Sequence, residues 1–259
     1  MRRQERIDYM QYSGNHYGRR AILVPEITPV VKMLLIANGA LFLFMYLSQD
    51  LTIFFIKNFS LIPYTVTHHF HVWRLLSYMF LHGGFMHLLF NMLFLWWFGS
   101  ELETLWGPNL FLKYYFITGL GGGLFHLVQP DSPIPVIGAS AAVMGIMLAY
   151  GLKWPNRKIL IWFILPVKMK WIVVFSLVVA FLGSVNMTEG YGIAHLAHLG
   201  GMVIGYIYLN WNRILFKAKD LRYRKKREGR KKKFTILDGN KKDDLDDFFD
   251  DTDNNHTVH

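Results

Sequence analysis

Val136-Ile137-Gly138-Ala139-Ser140-Ala141-Ala142-Val143-Met144-Gly145-Ile146-Met147-Leu148-Ala149 is apolar throughout except for one hydroxyl, that of Ser140. The run carries no charge and no proline, and it reads as a helix that crosses a bilayer. Similar runs recur along the chain. With soft boundaries they cover about 30–48, 84–100, 110–128, 138–152, 169–184 and 193–212, near the length of roughly 17–25 residues that spans a hydrocarbon core. The chain of 259 residues is 53% hydrophobic and only 18% charged, below the quarter or so of charged residues usual in soluble domains. Its charges crowd both ends. The expected fold is an all-α polytopic membrane protein of six transmembrane helices, an integral multi-pass protein in the lipid bilayer.

Six spans place both termini on one side. With the first segment taken as cytoplasmic, all but Lys57 and Arg74 of the 28 Lys and Arg fall in or beside inside segments. Positive charge marks the cytoplasmic side, so N-in/C-in is the expected orientation. Ser140 then lies at the outer end of span four, His87 near the outer end of span two, and His198 a turn or more into span six from the outside. Three polar groups on three helices share one depth.

A serine hydroxyl is a weak nucleophile until a base takes its proton, and histidine is the usual base. Small neighbours around Ser140 (Gly138, Ala139, Ala141, Ala142) leave room for a substrate backbone. A helix start also supplies free N–H groups to a developing oxyanion. The competing reading is that Ser140 caps span four. His198 opens a small stripe at Ala197, Gly201 and Gly205, and span four has its own at Ala141, Gly145 and Ala149. Small-xxx-small faces let membrane helices pack closely, so spans four and six are expected to touch and to bring His198 to Ser140. The competing reading is generic packing, with the histidine bonded to a carbonyl. His195, three residues away, is the less favoured base because it does not open the stripe. His87 and Asn91 share a helix face at i, i+4 and offer donors suited to an oxyanion hole, unless they only hold helices together. No Asp or Glu lies in spans four or six, so a hydrolase here uses a Ser–His dyad. There are no cysteines, which excludes disulfides and thiolate chemistry. His68, His69 and His71 lie in the outer loop without a nearby carboxylate in sequence. No metal or cofactor is expected.

Together these residues resemble the rhomboid intramembrane serine proteases, over roughly 30–212. The resemblance runs through Trp73-Arg74, His82, His87 and Asn91, then Gly99 and Glu103, then Gly138-Ala139-Ser140, then His198 with Gly201 and Gly205. It implies a six-helix rhomboid-like bundle with Ser140 as nucleophile and His198 as general base. It implies that His87, Asn91 and the Ser140 backbone N–H stabilise the oxyanion, and that Trp73-Arg74 belong to a loop in the outer leaflet. The implied substrates are transmembrane segments of other proteins, cut near the extracytoplasmic face, with the fifth helix as lateral gate. The family usually has Gly after the serine and often an aromatic four residues later, whereas this chain has Ala141 and Met144. Those departures motivate the alternative function, a catalytically weak or inactive membrane scaffold that binds client helices.

The remainder divides into a basic N-terminal segment (1–29), the membrane domain (30–212) and a cytoplasmic tail (213–259). The tail is basic from Arg222 to Lys233, then holds seven aspartates within 243–253. A juxtamembrane basic run is expected to meet anionic lipid, and the net charge of +10 is read that way, not as a nucleic-acid footprint. The apolar run 159–165, followed by Pro166, Lys168 and Lys170, is read as a cytoplasmic-side re-entrant or interfacial segment, with a Pro-kinked start of span five as the other reading. The outer loop 48–83 is rich in Phe, Ile, Leu and Trp and is expected in the membrane interface. His126 is expected at the interface too. The absence of an acid-free Arg/Ser-rich leader points to a prokaryotic plasma membrane.

Overall fold

The computed structural model describes residues 25–161, 165–185 and 195–211. The N-terminal segment up to residue 24 and the charged tail from residue 212 lie outside the described residues, and so do the expectations attached to them. The described residues up to Leu209 form one compact unit.

That unit is helical. Helix α1 (Pro29–Met45) is followed by α2 (Gln49–Phe59), α3 (Pro63–His69) and the short α4 (Arg74–Ser77), which runs into a 3-10 turn at Tyr78–Phe80. Helix α5 (Phe85–Phe94) continues through a π turn at Leu95–Gly99 into α6 (Ser100–Trp106). Then come α7 (Pro108–His126), α8 (Ser140–Lys153), a two-stranded hairpin, α9 (Met169–Val185) and α10 at residues 195–211. Helices therefore occupy all six apolar runs read from the sequence. Among the described residues no single helix is both long and apolar enough to cross a membrane by itself. The pair Arg74–Phe80 and Phe85–Trp106, bent by 97°, reaches that standard together.

The buried centre is α7 and α8. Tyr78, Tyr114, Tyr115, Tyr150 and Phe111 are fully enclosed there, and α8 packs more extensively on α7 than on any other element. The tyrosine hydroxyls find helix carbonyls: Tyr78 donates to Gly119 O at 2.7 Å and Tyr114 to Gly145 O at 2.9 Å. Around this centre, α1 and α9 bury one face and turn the other outward. Leu43 and Phe175 are 68% and 69% exposed, and the exposed apolar surface on both helices is continuous enough to need a non-aqueous partner.

Two buried charges fix the periphery. The Glu103 carboxylate accepts from the Thr28 hydroxyl and from the N–H groups of Val30 and Val31 at 2.9 Å. It thus caps the start of α1, where free N–H groups and the helix dipole favour an anion. Arg74, 4% exposed, donates to Ser60 O at 2.7 Å and Lys57 O at 2.6 Å. Trp73 Nε1 adds a bond to Asn58 O and Ser77 Oγ one to Phe59 O. The last carbonyls of α2 are thereby satisfied by a cation at the negative helix end. Arg74→Ala leaves those carbonyls bare and is expected to cost about 3 kcal/mol, measured as a lowered unfolding midpoint in detergent. Arg74→Lys should recover only part, since one ammonium does not fork to two carbonyls.

Two readings need correction. The apolar run does not begin span five: β1 (Lys158–Ile161) pairs antiparallel with β2 (Leu165–Lys168), and Pro166 sits within β2. Span five starts afterwards, at Met169. His126, at the end of α7, is fully buried. His68 does meet a carboxylate: its Nε2 lies 3.5 Å from Asp131 of the α7–α8 loop, which the fold brings alongside α3 through Tyr64 N to Ser132 O and the Leu61–Val136 bridge.

Candidate active site

Ser140 owes its position to the loop before it. Val136 pairs with Leu61, and Gly138 N donates to Tyr78 O at 2.9 Å. Gly138 has φ +120°, a conformation that side chains rarely adopt, and the chain then enters α8. The N-cap is Ala139, with no side-chain cap bond, and Ser140 is the first helical residue. Its hydroxyl is therefore not spent on the helix. Ser140 Oγ instead lies 2.7 Å from His198 Nε2.

The close approach of α8 and α10 has a steric basis. A Cβ on Gly201 would stand 2.1 Å from the Ala141 carbonyl oxygen, so the two backbones touch one turn beyond His198. The later members of the two stripes do not face each other. A Cβ on Gly145 would run into Thr118, and one on Gly205 into the Tyr114 hydroxyl. Helix α7 therefore wedges between α8 and α10 below the first contact. The pair Ser140–His198 sits where the helices converge.

His87 and Asn91 approach from α5. His87 Nδ1 accepts from Gly83 N at 3.5 Å, which leaves Nε2 to carry the proton. That nitrogen faces the serine loop: a Cβ on Gly138 would be 2.6 Å from His87 Nε2 and 3.7 Å from Ser140 Oγ. Gly138 is thus required both for its backbone angle and for the room it leaves. Asn91, 6% exposed, gives one amide hydrogen to His87 O at 2.8 Å and has a second to offer. Ser140, His87 and Asn91 border one cavity of about 310 Å³. Its other walls are apolar and come from the same two helices, with Phe90 and Phe94 on α5 and Met144 and Met147 on α8.

His195 stands apart from the serine. Its ring lies over Gly183 of α9, where a Cβ would meet it at 2.4 Å, and turns an edge to His198 at 6.0 Å. The two departures from the family pattern have separate environments. Met144 lines the cavity. The methyl of Ala141 points at Gly122 of α7, where an added Cβ would stand 2.4 Å away. Gly122 and Tyr78 were not singled out in the sequence. The triplet Gly121-Gly122-Gly123 inside an apolar run was the available signal for close helix approach.

His82, 3% exposed, packs edge-on to His87 with ring centroids 5.0 Å apart. Burial, with the neighbouring His87 second, lowers its pKa to about 4 from an ordinary value near 6.5. The folded state thus keeps this ring neutral while the unfolded chain takes up a proton. Stability is whole above pH ~6.5 and falls as the pH drops from there toward 4. The unfolding midpoint is expected to follow that course, and His82→Gln should flatten it.

Residues 69–212, more than half of the chain, match the family model described as Rhomboid domain. The chain is 34% identical over 134 residues to "Rhomboid protein 1, mitochondrial" of Saccharomyces cerevisiae, covering 50% of this chain and 38% of that protein. It is 34% identical over 139 residues to "Rhomboid protease GluP" of Bacillus subtilis, covering 52% and 25%. It is 25% identical over 188 residues to "Rhomboid protease GlpG" of Yersinia pestis, covering 71% and 63%. The chain thus spans less than two thirds of the length of each of these relatives. The extent of the domain match decides the matter: this chain is an integral membrane protein belonging to the rhomboid family.

Proposed function

We propose that the chain is an intramembrane serine endopeptidase that cuts transmembrane segments of other proteins near the extracytoplasmic face. The hydrogen bond between Ser140 Oγ and His198 Nε2, 2.7 Å long at the edge of a cavity, carries this reading. Two of the relatives are named as proteases, which supports it. A scaffold would need no such pairing beside an open cavity.

In this mechanism His198 takes the Ser140 proton as Oγ attacks the scissile carbonyl carbon. The oxyanion that forms meets the free N–H groups at the start of α8, His87 Nε2–H and the second amide hydrogen of Asn91. His198 then returns the proton to the leaving amine, and the acyl group stays on Ser140. A water, deprotonated by the same histidine, attacks the ester and frees the serine. Neither α8 nor α10 contains an Asp or Glu, so the catalytic pair is a dyad.

The six-span, N-in/C-in arrangement, with 30–212 as the membrane domain, is part of the same proposal. It rests on the charge bias and on six helices at the expected positions. Bacterial and mitochondrial proteins both occur among the relatives, so family membership fixes a membrane but not which one.

A fluorophosphonate probe is expected to label Ser140 in the purified protein. His198→Ala should lose both labelling and cleavage, while His195→Ala, whose ring packs on α9, should retain them. Failure of the probe to label, or equal loss in the two histidine variants, overturns the assignment.

A further inference from the structure

The hairpin between α8 and α9 lies at the end of α8 opposite Ser140, about 21 Å away along the helix. Its register sets Lys158 directly across from Lys168, Ile159 across from Val167 and Leu160 across from Pro166. Side chains alternate between faces along a strand. One face therefore holds Ile159, Val167 and Leu165, and Ile159 packs on the core. The other is Lys158, Lys168, Leu160 and Pro166. Like charges directly opposite each other weaken a strand pair, and a two-stranded hairpin has little stability to spare. Among the described residues neither lysine has an ion pair. The nearby carboxylate, Glu101, is held by Arg157, and no Asp or Glu occurs between Lys153 and Lys170. Lys170 lies over the exposed Trp171 ring at 5.3 Å, the side-chain pairing found at the headgroup level of a membrane.

We propose that this face binds the phosphate of an anionic glycerophospholipid between Lys158 and Lys168, with Leu160 and Pro166 of the same face directed along the acyl chains. The lysines stand at the base of this face, and Leu160 and the exposed Pro166 follow on the same face, two residues farther along each strand. Charge followed by apolar surface is the order of a lipid headgroup and its chain. A free phosphate or an acidic peptide would use the lysines and leave Leu160 and Pro166 in water. The proposal rests on the membrane location of the family and is independent of the protease reading.

The chain has no cysteine, so Leu165→Cys gives a single labelling site. The full chain, labelled there with a fluorophore, is placed in bilayers of phosphatidylcholine and phosphatidylglycerol in which one lipid or the other is brominated. Each basic side chain near an anionic surface changes partition about fivefold, so brominated phosphatidylglycerol should quench at least about fivefold more than phosphatidylcholine at equal content. Added salt should weaken the preference, and Lys158→Gln with Lys168→Gln should abolish it. Equal quenching by the two lipids overturns the proposal, as does a preference that survives the double substitution. Changing the seven aspartates of 243–253 to asparagine should leave the preference unaltered. If it appears only then, the acidic segment is the occupant and the lipid proposal fails.

Discussion

Ser140→Ala is expected to lower cleavage of a transmembrane substrate by roughly 10⁴- to 10⁶-fold while leaving the fold intact. The size of the effect follows from what the hydroxyl does and does not touch. It is not the N-cap of α8, so its loss removes no helix-stabilising bond. Its partner is His198, and a base without a nucleophile retains only the rate supplied by oxyanion donors and substrate placement. The measurement is product formation from a panel of tagged transmembrane substrates, alongside the unfolding midpoint of the same preparations. Undiminished cleavage by the alanine variant ends the serine mechanism for this chain. A midpoint lowered by many degrees assigns Ser140 to the architecture instead.

The second large effect is expected at a residue with no chemistry. Gly201→Ala puts a methyl carbon where the Ala141 carbonyl oxygen already stands, at 2.1 Å. Backbone atoms on α8 cannot swing aside as a flexible side chain would. The helices must part, at a cost of about 1–3 kcal/mol for overpacking. The Ser140–His198 bond is one turn away and has little slack: from 2.7 Å, a shift of about 1 Å takes it past hydrogen-bonding distance. A misplacement of that size costs on the order of 10²-fold in rate. Activity should therefore fall further than stability does. The two are separated by measuring cleavage well below the unfolding midpoint. Full activity in Gly201→Ala would mean that α10 is free to slide, contrary to the packing described.

The helices were legible because each is an apolar run set off by loop residues or charges, and their observed ends differ from the reading by a few residues. Ser140 and His198 could be paired in advance because each begins a small-residue stripe. The stripes predicted that the two helices touch, as they do at Ala141 and Gly201, while Gly145 and Gly205 pack on α7, since spacing on a helix gives a face but not the identity of the neighbour. The hairpin was invisible for a related reason. Its strands are four residues each, and a short apolar run has no period that separates strand from helix. The pairing of His68 with Asp131 joins loops distant in sequence, and no local pattern encodes it. Arg74 looked like part of a motif, and only the structure connects it to the carbonyls of α2.

The methyl of Ala141 sits in space that a second contact keeps open. Position 122 is closed to any side chain on two counts: an added Cβ would meet the Ala141 methyl at 2.4 Å and also the Ala197 carbonyl oxygen at 2.7 Å. The second obstacle is backbone and does not depend on residue 141. Glycine at 122 is therefore demanded by the path of α10 whatever follows the serine, and the hollow it leaves accommodates the Ala141 methyl. Ala141→Gly would leave position 122 as constrained as before, because the Ala197 carbonyl still bars a side chain there.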